Sequence, residues 1–272
     1  MADFSVPFGK KLNLDSADPE QTHPYPDDDE GKSLAKKEHK KKLKIMSKFQ
    51  ERLYAEGKQA LLVVLQAMDT GGKDSTIRNV FGQLNPQGCQ VHSFKKPTEL
   101  ELSHHFLWRI FQKVPARGMI TIFNRSHYED VLITRVHGMV DDALAKKRFE
   151  EIIQFEQTLV ESGTQILKFF LHISKDEQKK RLEDRLKDPE KHWKFNPGDL
   201  AERKSWEDYT RYYQEALAAT SWSGAPWYVI PANKKWSRNA LISSIACEKL
   251  EAMKPDFPPP AEGVDFKKIK IR

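Results

Sequence analysis

Residues Gln59–Arg78 read QALLVVLQAMDTGGKDSTIR. The apolar run Ala60 to Leu65, rich in Val and Leu and too short for a core helix, predicts a strand buried on both faces of a parallel sheet. A small-residue turn follows, Met68 to Gly72, and Lys73, Asp74 and Ser75 then open a helix through Ile77 and Val80 to Phe81. Strand, glycine turn, lysine and helix form a phosphate cradle. Backbone N–H groups and the positive helix end face an anion, and the lysine adds a mobile charge. The pattern is a degenerate G-x-x-x-x-G-K-[ST]: Ala67 holds the first glycine position and Asp74 the hydroxyl position. A plain strand-to-helix turn relieved by glycines is the competing explanation. Asp69 argues against it, because a carboxylate inside a phosphate loop repels the ligand unless a metal bridges them.

Outward from this stretch, the chain alternates strands and helices. The expected strands after the first are CQVHSFK (89–95), MITIFN (119–124), TQILKFFLHIS (164–174) and APWYVIPA (225–232). About five buried strands joined by short loops and helices predict a three-layer α/β/α sheet of parallel type. The expected helices are Ser33 to Glu56 with Ser33 as N-cap, Thr98 to Lys113, Asp141 to Ser162, Asp199 to Ala219 and Trp236 to Met253. Thr98 and Glu101 have capping-box spacing. Residues 1–32, interrupted by prolines, are expected to form an extended arm without a packed element; 33–253 a single domain; 254–272 a tail.

RSHYED (125–130) sits at the carboxyl end of a buried strand, where open α/β sheets bind ligands. The alternative is a surface helix start whose acidic residues follow the dipole. Residues 175–198 begin as a helix, break at Pro189 and place Arg181 and Arg185 one turn apart, followed by Lys191, His192 and Lys194. That composition suits a phosphate-clamping lid, and equally an ordinary charge-paired helix.

The 272 residues carry a formal net charge of +6, with 39% hydrophobic and 31% charged residues. A basic balance favours an anionic partner, nucleic acid or a phosphate-rich molecule, although lysine runs such as Lys36, Lys37, Lys40 and Lys41 more often solvate a helix face. Two cysteines without a C-x-x-C leave no disulfide framework and point to a reducing cytoplasm. The first residues lack the apolar core of a signal peptide, and no apolar run approaches the roughly 20 residues that cross a bilayer.

Six ordered stretches, LQAMDTGGKDSTIR, NPQGCQVHSFKKPTELELSHHFLWR, IFNRSHYEDVLITRVH, LKFFLHISKDEQKKRLEDRL, HWKFNPGDL and APWYVIPANKKW, resemble the polyphosphate kinase 2 family. The resemblance spans about 33–253 and implies a thymidylate-kinase-like P-loop kinase fold with a helical lid. It implies reversible, magnesium- or manganese-dependent transfer of phosphoryl groups between inorganic polyphosphate and nucleoside mono- and diphosphates, in a homo-dimer or homo-tetramer. By position, Asp69 resembles the family's metal-binding loop aspartate, and Gly71, Gly72, Lys73, Asp74 and Ser75 its phosphate loop. Arg125 resembles the arginine after the Walker B position, and Arg181 and Arg185 the lid arginines. Many relatives carry Asp where this chain has Asn124, so Asp69 dominates the metal site or Glu129 or Asp130 contributes. NRSHYED is similar to the class III subgroup, which implies that both AMP and ADP are acceptors, with Glu129 tied to that range. Arg78, Asn85, Glu129 and Arg135 are the candidate nucleotide contacts. The alternatives are an ATP-dependent nucleoside-monophosphate kinase of the same class and a non-catalytic nucleic-acid-binding module. No helix-turn-helix, zinc or RNP-type motif supports the latter.

Overall fold

The computed structural model describes residues 4–262 and 268–271. Residues 1–3 of the expected arm, and 263–267 and 272 of the expected tail, lie outside the described residues. The chain runs α1 (Asp29–Glu56), β1 (Ala60–Ala67), α2 (Lys73–Thr76), β2 (Cys89–Ser93), α3 (Glu99–Leu102), α4 (Trp108–Phe111) and β3 (Ile120–Asn124). It continues with α5 (Ile133–Val136), α6 (Asp142–Glu161), β4 (Thr164–His172), α7 (Lys175–Lys187), α8 (Pro197–Lys204), α9 (Trp206–Thr220), β5 (Trp227–Pro231) and α10 (Lys235–Met253).

The five strands form one sheet in the order β2-β3-β1-β4-β5, every pairing parallel. At its centre Val63 lies opposite Ile122 on one side and Leu167 on the other. All of β1 is buried, as the unbroken apolar run requires of a strand covered on both faces. α1 packs along α10, and α6 along α9. The chain passes from β1 out to β2 and back to β3 on one side, then crosses to β4 and β5 on the other. The crevice at the carboxyl ends of β1 and β3 is therefore a topological switch point.

The cap of α1 lies five residues earlier than expected, at Asp28 in place of Ser33, because Asp28 accepts the Gly31 N–H at 2.7 Å. The segment expected as one helix over Thr98 to Lys113 is two short helices, α3 and α4. The capping box forms, but Ser103 ends α3 and leaves Leu100 and Leu102 exposed. The helix expected from Asp199 is divided at Ser205 into α8 and α9. The helix after the cradle continues from α2 as a π-turn, Ile77–Phe81.

The expectation of an unpacked arm is corrected. Val6 and Leu14 are buried in the core. The Val6 N–H donates to Trp227 O at 2.7 Å and the Val229 N–H to Phe4 O at 2.9 Å. The arm thus lies antiparallel against β5 and covers a sheet edge that would otherwise present unpaired backbone groups.

One charged pair sits inside the sheet layer. Lys168, in the middle of β4, and Glu156 of α6 are both fully buried. The Lys168 ammonium donates to Glu156 Oε2 at 2.6 Å, Thr220 O at 2.7 Å and Tyr128 Oη at 3.2 Å. Glu156 also accepts from Tyr128 Oη at 2.8 Å and Trp222 Nε1 at 2.9 Å. Burial alone would raise the Glu156 carboxyl, but Lys168 and His127 beside it hold it below its ordinary value.

Candidate active site

The turn after β1 is built by close approach. A Cβ on Gly71 would meet Ala67 Cβ at 2.4 Å, and Gly72 has φ +100° with Arg238 Nη1 2.3 Å from where its Cβ would sit. Only glycine fits either position. Thr70 (φ 59°) and Arg125 (φ 62°) hold left-handed conformations on facing walls, where strain in non-glycine residues tends to gather. The Lys73 ammonium donates to Ala67 O at 3.0 Å, and Ser75 Oγ to Gly72 O at 3.0 Å. Burial, then Arg125, pushes the Lys73 pKa below its ordinary value, with Asp69, Glu129 and Asp74 pulling against them.

The end of β3 supplies the opposite wall. Asn124 Nδ2 donates to Asp74 Oδ1 at 2.7 Å, and Arg125 Nη2 to Asp69 Oδ1 at 2.9 Å. Burial works against the Arg125 guanidinium, but Glu129 and Asp69 hold its pKa above the ordinary value. Glu129 therefore belongs electrostatically to this site.

Asp130 does not line the cleft. The charges around it include Arg109 and Arg148, Arg148 Nη1 donates to its backbone oxygen at 2.7 Å, and its Oδ2 is buried without a hydrogen-bond partner. Burial pushes its carboxyl up to about 6. A metal shared between Asp130 and Asp69 does not fit this placement.

The lid closes the third side. Arg181 Nη1 donates to Thr70 O at 3.1 Å, its Nη2 to Ala232 O at 2.6 Å, and its Nε to Glu177 at 2.7 Å. Arg181 is thus engaged in tying the phosphate loop to the turn after β5. Arg185 lies 3.4 Å from both Asp199 Oδ2 and Lys194 O and faces the cleft, as do Lys191 and Lys194. With Lys95 from beyond β2 and Lys235 from α10, these side chains line a cleft of about 610 Å3 that begins at the phosphate loop.

The sequence profile of polyphosphate kinase 2 matches residues 29–258. The chain belongs to the polyphosphate kinase 2 family. It is 49% identical over 260 residues to an AMP/ADP-polyphosphate phosphotransferase of Meiothermus ruber, covering 96% of each chain. It is 45% identical to an ADP-polyphosphate phosphotransferase of Rhodopseudomonas palustris, over 78% of each. The crystal structure of polyphosphate kinase 2 from Arthrobacter aurescens superposes with a TM-score of 0.89 at 44% identity, covering 96% of both chains.

For a polyphosphate kinase 2 the structure sorts the expected residues unevenly. Asp69, Gly71, Gly72, Lys73, Asp74, Ser75, Arg125, Arg181 and Arg185 converge on one cleft. Glu129 lines a narrow second cavity behind Asp69 and Arg125, with Trp206, Tyr209 and Tyr213. Three candidate nucleotide contacts lie elsewhere. Arg78 is exposed on the π-turn. Asn85 caps the 3-10 turn before β2, accepting from Gln87 N at 3.0 Å, so it sits at the amino end of that strand. Arg135 is buried, donates to Asp142 and Glu215 at 2.7 Å each, and stacks 3.9 Å from the Tyr212 ring centroid. Sequence reasoning missed Lys235 and Arg238, which follow the last strand. A pair of basic residues at the start of a helix, where acidic ones are favoured, was the available signal.

Proposed function

We infer that the protein transfers phosphoryl groups between inorganic polyphosphate and nucleotides, with AMP and ADP as acceptors. The observation that carries this reading is the cleft itself. Cations from the end of β2, the phosphate loop, the lid and α10 line one continuous 610 Å3 space. That space is longer than one phosphate needs, and its charge suits a chain with about one negative charge per phosphate unit. The similar protein from Meiothermus ruber is named for AMP, ADP and polyphosphate.

The donor chain lies along Lys194, Arg185 and Lys235 and ends over Lys73. Arg125, held in its left-handed conformation and oriented by Asp69, is placed to neutralise charge that spreads over the transferred group. The acceptor is already an anionic phosphate oxygen, so no side chain has to remove a proton. The second cavity, with aromatic side chains and Glu129, holds only about 40 Å3 and is too small for a nucleoside as it stands.

Asp69 and Asp74 bring hard carboxylate oxygens to the cleft, and among the described residues no cluster of three metal-ligating side chains exists. That donor set fits magnesium, which is commonly held by one or two carboxylates together with substrate phosphates. When bound, the ion would offset phosphate charge and help align the two substrates. Both cysteines are free, and among the described residues no helix is long and apolar enough to cross a membrane.

The test is incubation of the purified protein with magnesium, polyphosphate and AMP as the only nucleotide. Appearance of ADP and then ATP supports the full reading. ATP formed only from added ADP removes AMP from the acceptors. No product from either, with transfer restored by ATP as donor, replaces the reading with an ATP-dependent monophosphate kinase.

A further inference from the structure

Arg238 lies in the first turn of α10 and is fully buried. Its Nε and Nη2 donate to Asn239 Oδ1 at 3.1 and 2.8 Å, and Nη2 also donates to Ser75 Oγ at 3.0 Å. Its Nη1 has no hydrogen-bond partner and lies against Gly72, 2.3 Å from where a Cβ would stand. Among the described residues no carboxylate pairs with this guanidinium. The charge that acts on it is a second cation, Arg181, which reaches the same glycine from the lid side. Burial and Arg181 together push its pKa down to about 9.

A buried, unpaired charge is among the costliest features a core can hold. Arg238 is surrounded by additional positive field rather than relief. α10 has no acidic residue in its first turn and no side-chain cap, and Ser237 Oγ beside it is buried without a partner. Of the groups that Arg238 touches, Gly72 and Ser75 belong to the phosphate cradle. An anion seated in that cradle would lie on the other side of the loop.

We propose that Arg238 is a positioning residue for the phosphate chain, whose buried charge is balanced only when phosphate occupies the cradle, so that unliganded stability is given up for polyphosphate affinity. The inference rests on the polyphosphate reading above. Arg238 is sealed from the cleft, so it acts through Gly72, Ser75 and its field, not by touching the substrate.

The experiment compares wild type, Arg238→Met and Arg238→Lys. Thermal unfolding is followed without ligand and with tripolyphosphate, and KM is measured separately for polyphosphate and AMP. The Met variant is expected to unfold at or above the wild-type temperature without ligand and to lose most of the tripolyphosphate-induced shift. Its KM for polyphosphate should rise by roughly three- to tenfold, the size expected of a charge that acts through its field without a direct contact, with KM for AMP unchanged. The Lys variant should recover part of both. A Met variant that unfolds well below wild type yet keeps its full tripolyphosphate shift would assign Arg238 a purely structural role and overturn the proposal. An unchanged polyphosphate KM would also overturn it. If tripolyphosphate fails to stabilise the wild type while AMP succeeds, the donor reading itself is at fault, and this inference falls with it.

Discussion

Replacing Lys168 with Met removes the cation from a site where Glu156 has no exposed surface. The methionine fills similar volume, so packing changes little. The cost comes from the carboxylate left behind. Glu156 keeps its bonds from Tyr128 Oη at 2.8 Å and Trp222 Nε1 at 2.9 Å but loses the ammonium at 2.6 Å, and Thr220 O loses its donor. Removing one partner of a buried pair costs about 3–5 kcal/mol, a large share of the roughly 5–15 kcal/mol that holds a domain folded. Urea denaturation at pH 7.5, followed by circular dichroism, reads this directly. The pH dependence supplies a second readout of opposite sign. In wild type the Glu156 pKa is depressed, so its contribution is present above the unfolded value near 4.3 and is lost as pH falls through the folded value. In Lys168→Met the folded pKa should rise above the unfolded value. The variant should then gain stability as pH falls from 7.5 toward 5, by up to about 1.4 kcal/mol per unit. Adding Glu156→Gln should return part of the loss and flatten the slope. A Lys168→Met variant as stable as wild type, or one with the wild-type slope, would refute the argument that the pair is charged and mutually dependent.

Three further outcomes follow, two from the cleft and one from the carboxyl buried beside it. Asp69→Asn should retain the fold and the hydrogen bond to Arg125 but lose about a hundredfold or more in kcat, unrestored by excess magnesium, because an amide is a poor hard-cation ligand; steady-state kinetics over a magnesium titration checks it. Asn124→Asp replaces the 2.7 Å bond to Asp74 with two facing carboxylates. It should lower metal-free stability at neutral pH by about 1–2 kcal/mol, with magnesium returning the loss in a thermal-shift assay. Asp130, whose carboxyl is pushed up to about 6, weakens the fold as pH rises from its unfolded value through 6. Asp130→Asn should therefore be neutral or stabilising by about 1–2 kcal/mol at pH 7.5, and equal to wild type near pH 4, in urea titrations at both values.

The central strand and the cradle were legible because their signals are local. Ala60 to Leu65 has one sensible environment, and Gly71 and Gly72 stand where backbone crowding demands them. What escaped were pairings set by the packed fold. Lys168 reads as an interruption of an apolar strand until Glu156, twelve residues earlier, is seen opposite it. The arm looked unpacked because its apolar residues follow no helix or strand period, and Val6 and Leu14 find their partners on β5 and α9. Asp130 and Glu129 are adjacent in sequence, yet the 3-10 turn His127–Val131 sends one toward Arg148 and the other toward Arg125. Arg181 and Arg185 share a helix face as expected and both border the cleft, but the first is also tied to the backbone oxygens of Thr70 and Ala232. Spacing alone cannot separate structural cations from ligand-facing ones.

The arm that lies along β5 also limits how copies of this chain can join through their sheets. With Phe4 and Val6 bonded to that side, β2 is the free margin of the sheet among the described residues, and its Val91 is exposed. A body with one such margin can pair with a second body and then has none left. Strand-to-strand association would end at a symmetric pair with a continuous ten-stranded sheet, twice the five strands of each chain. If the arm were cut away, each copy would carry two margins, and the same contact could repeat without limit.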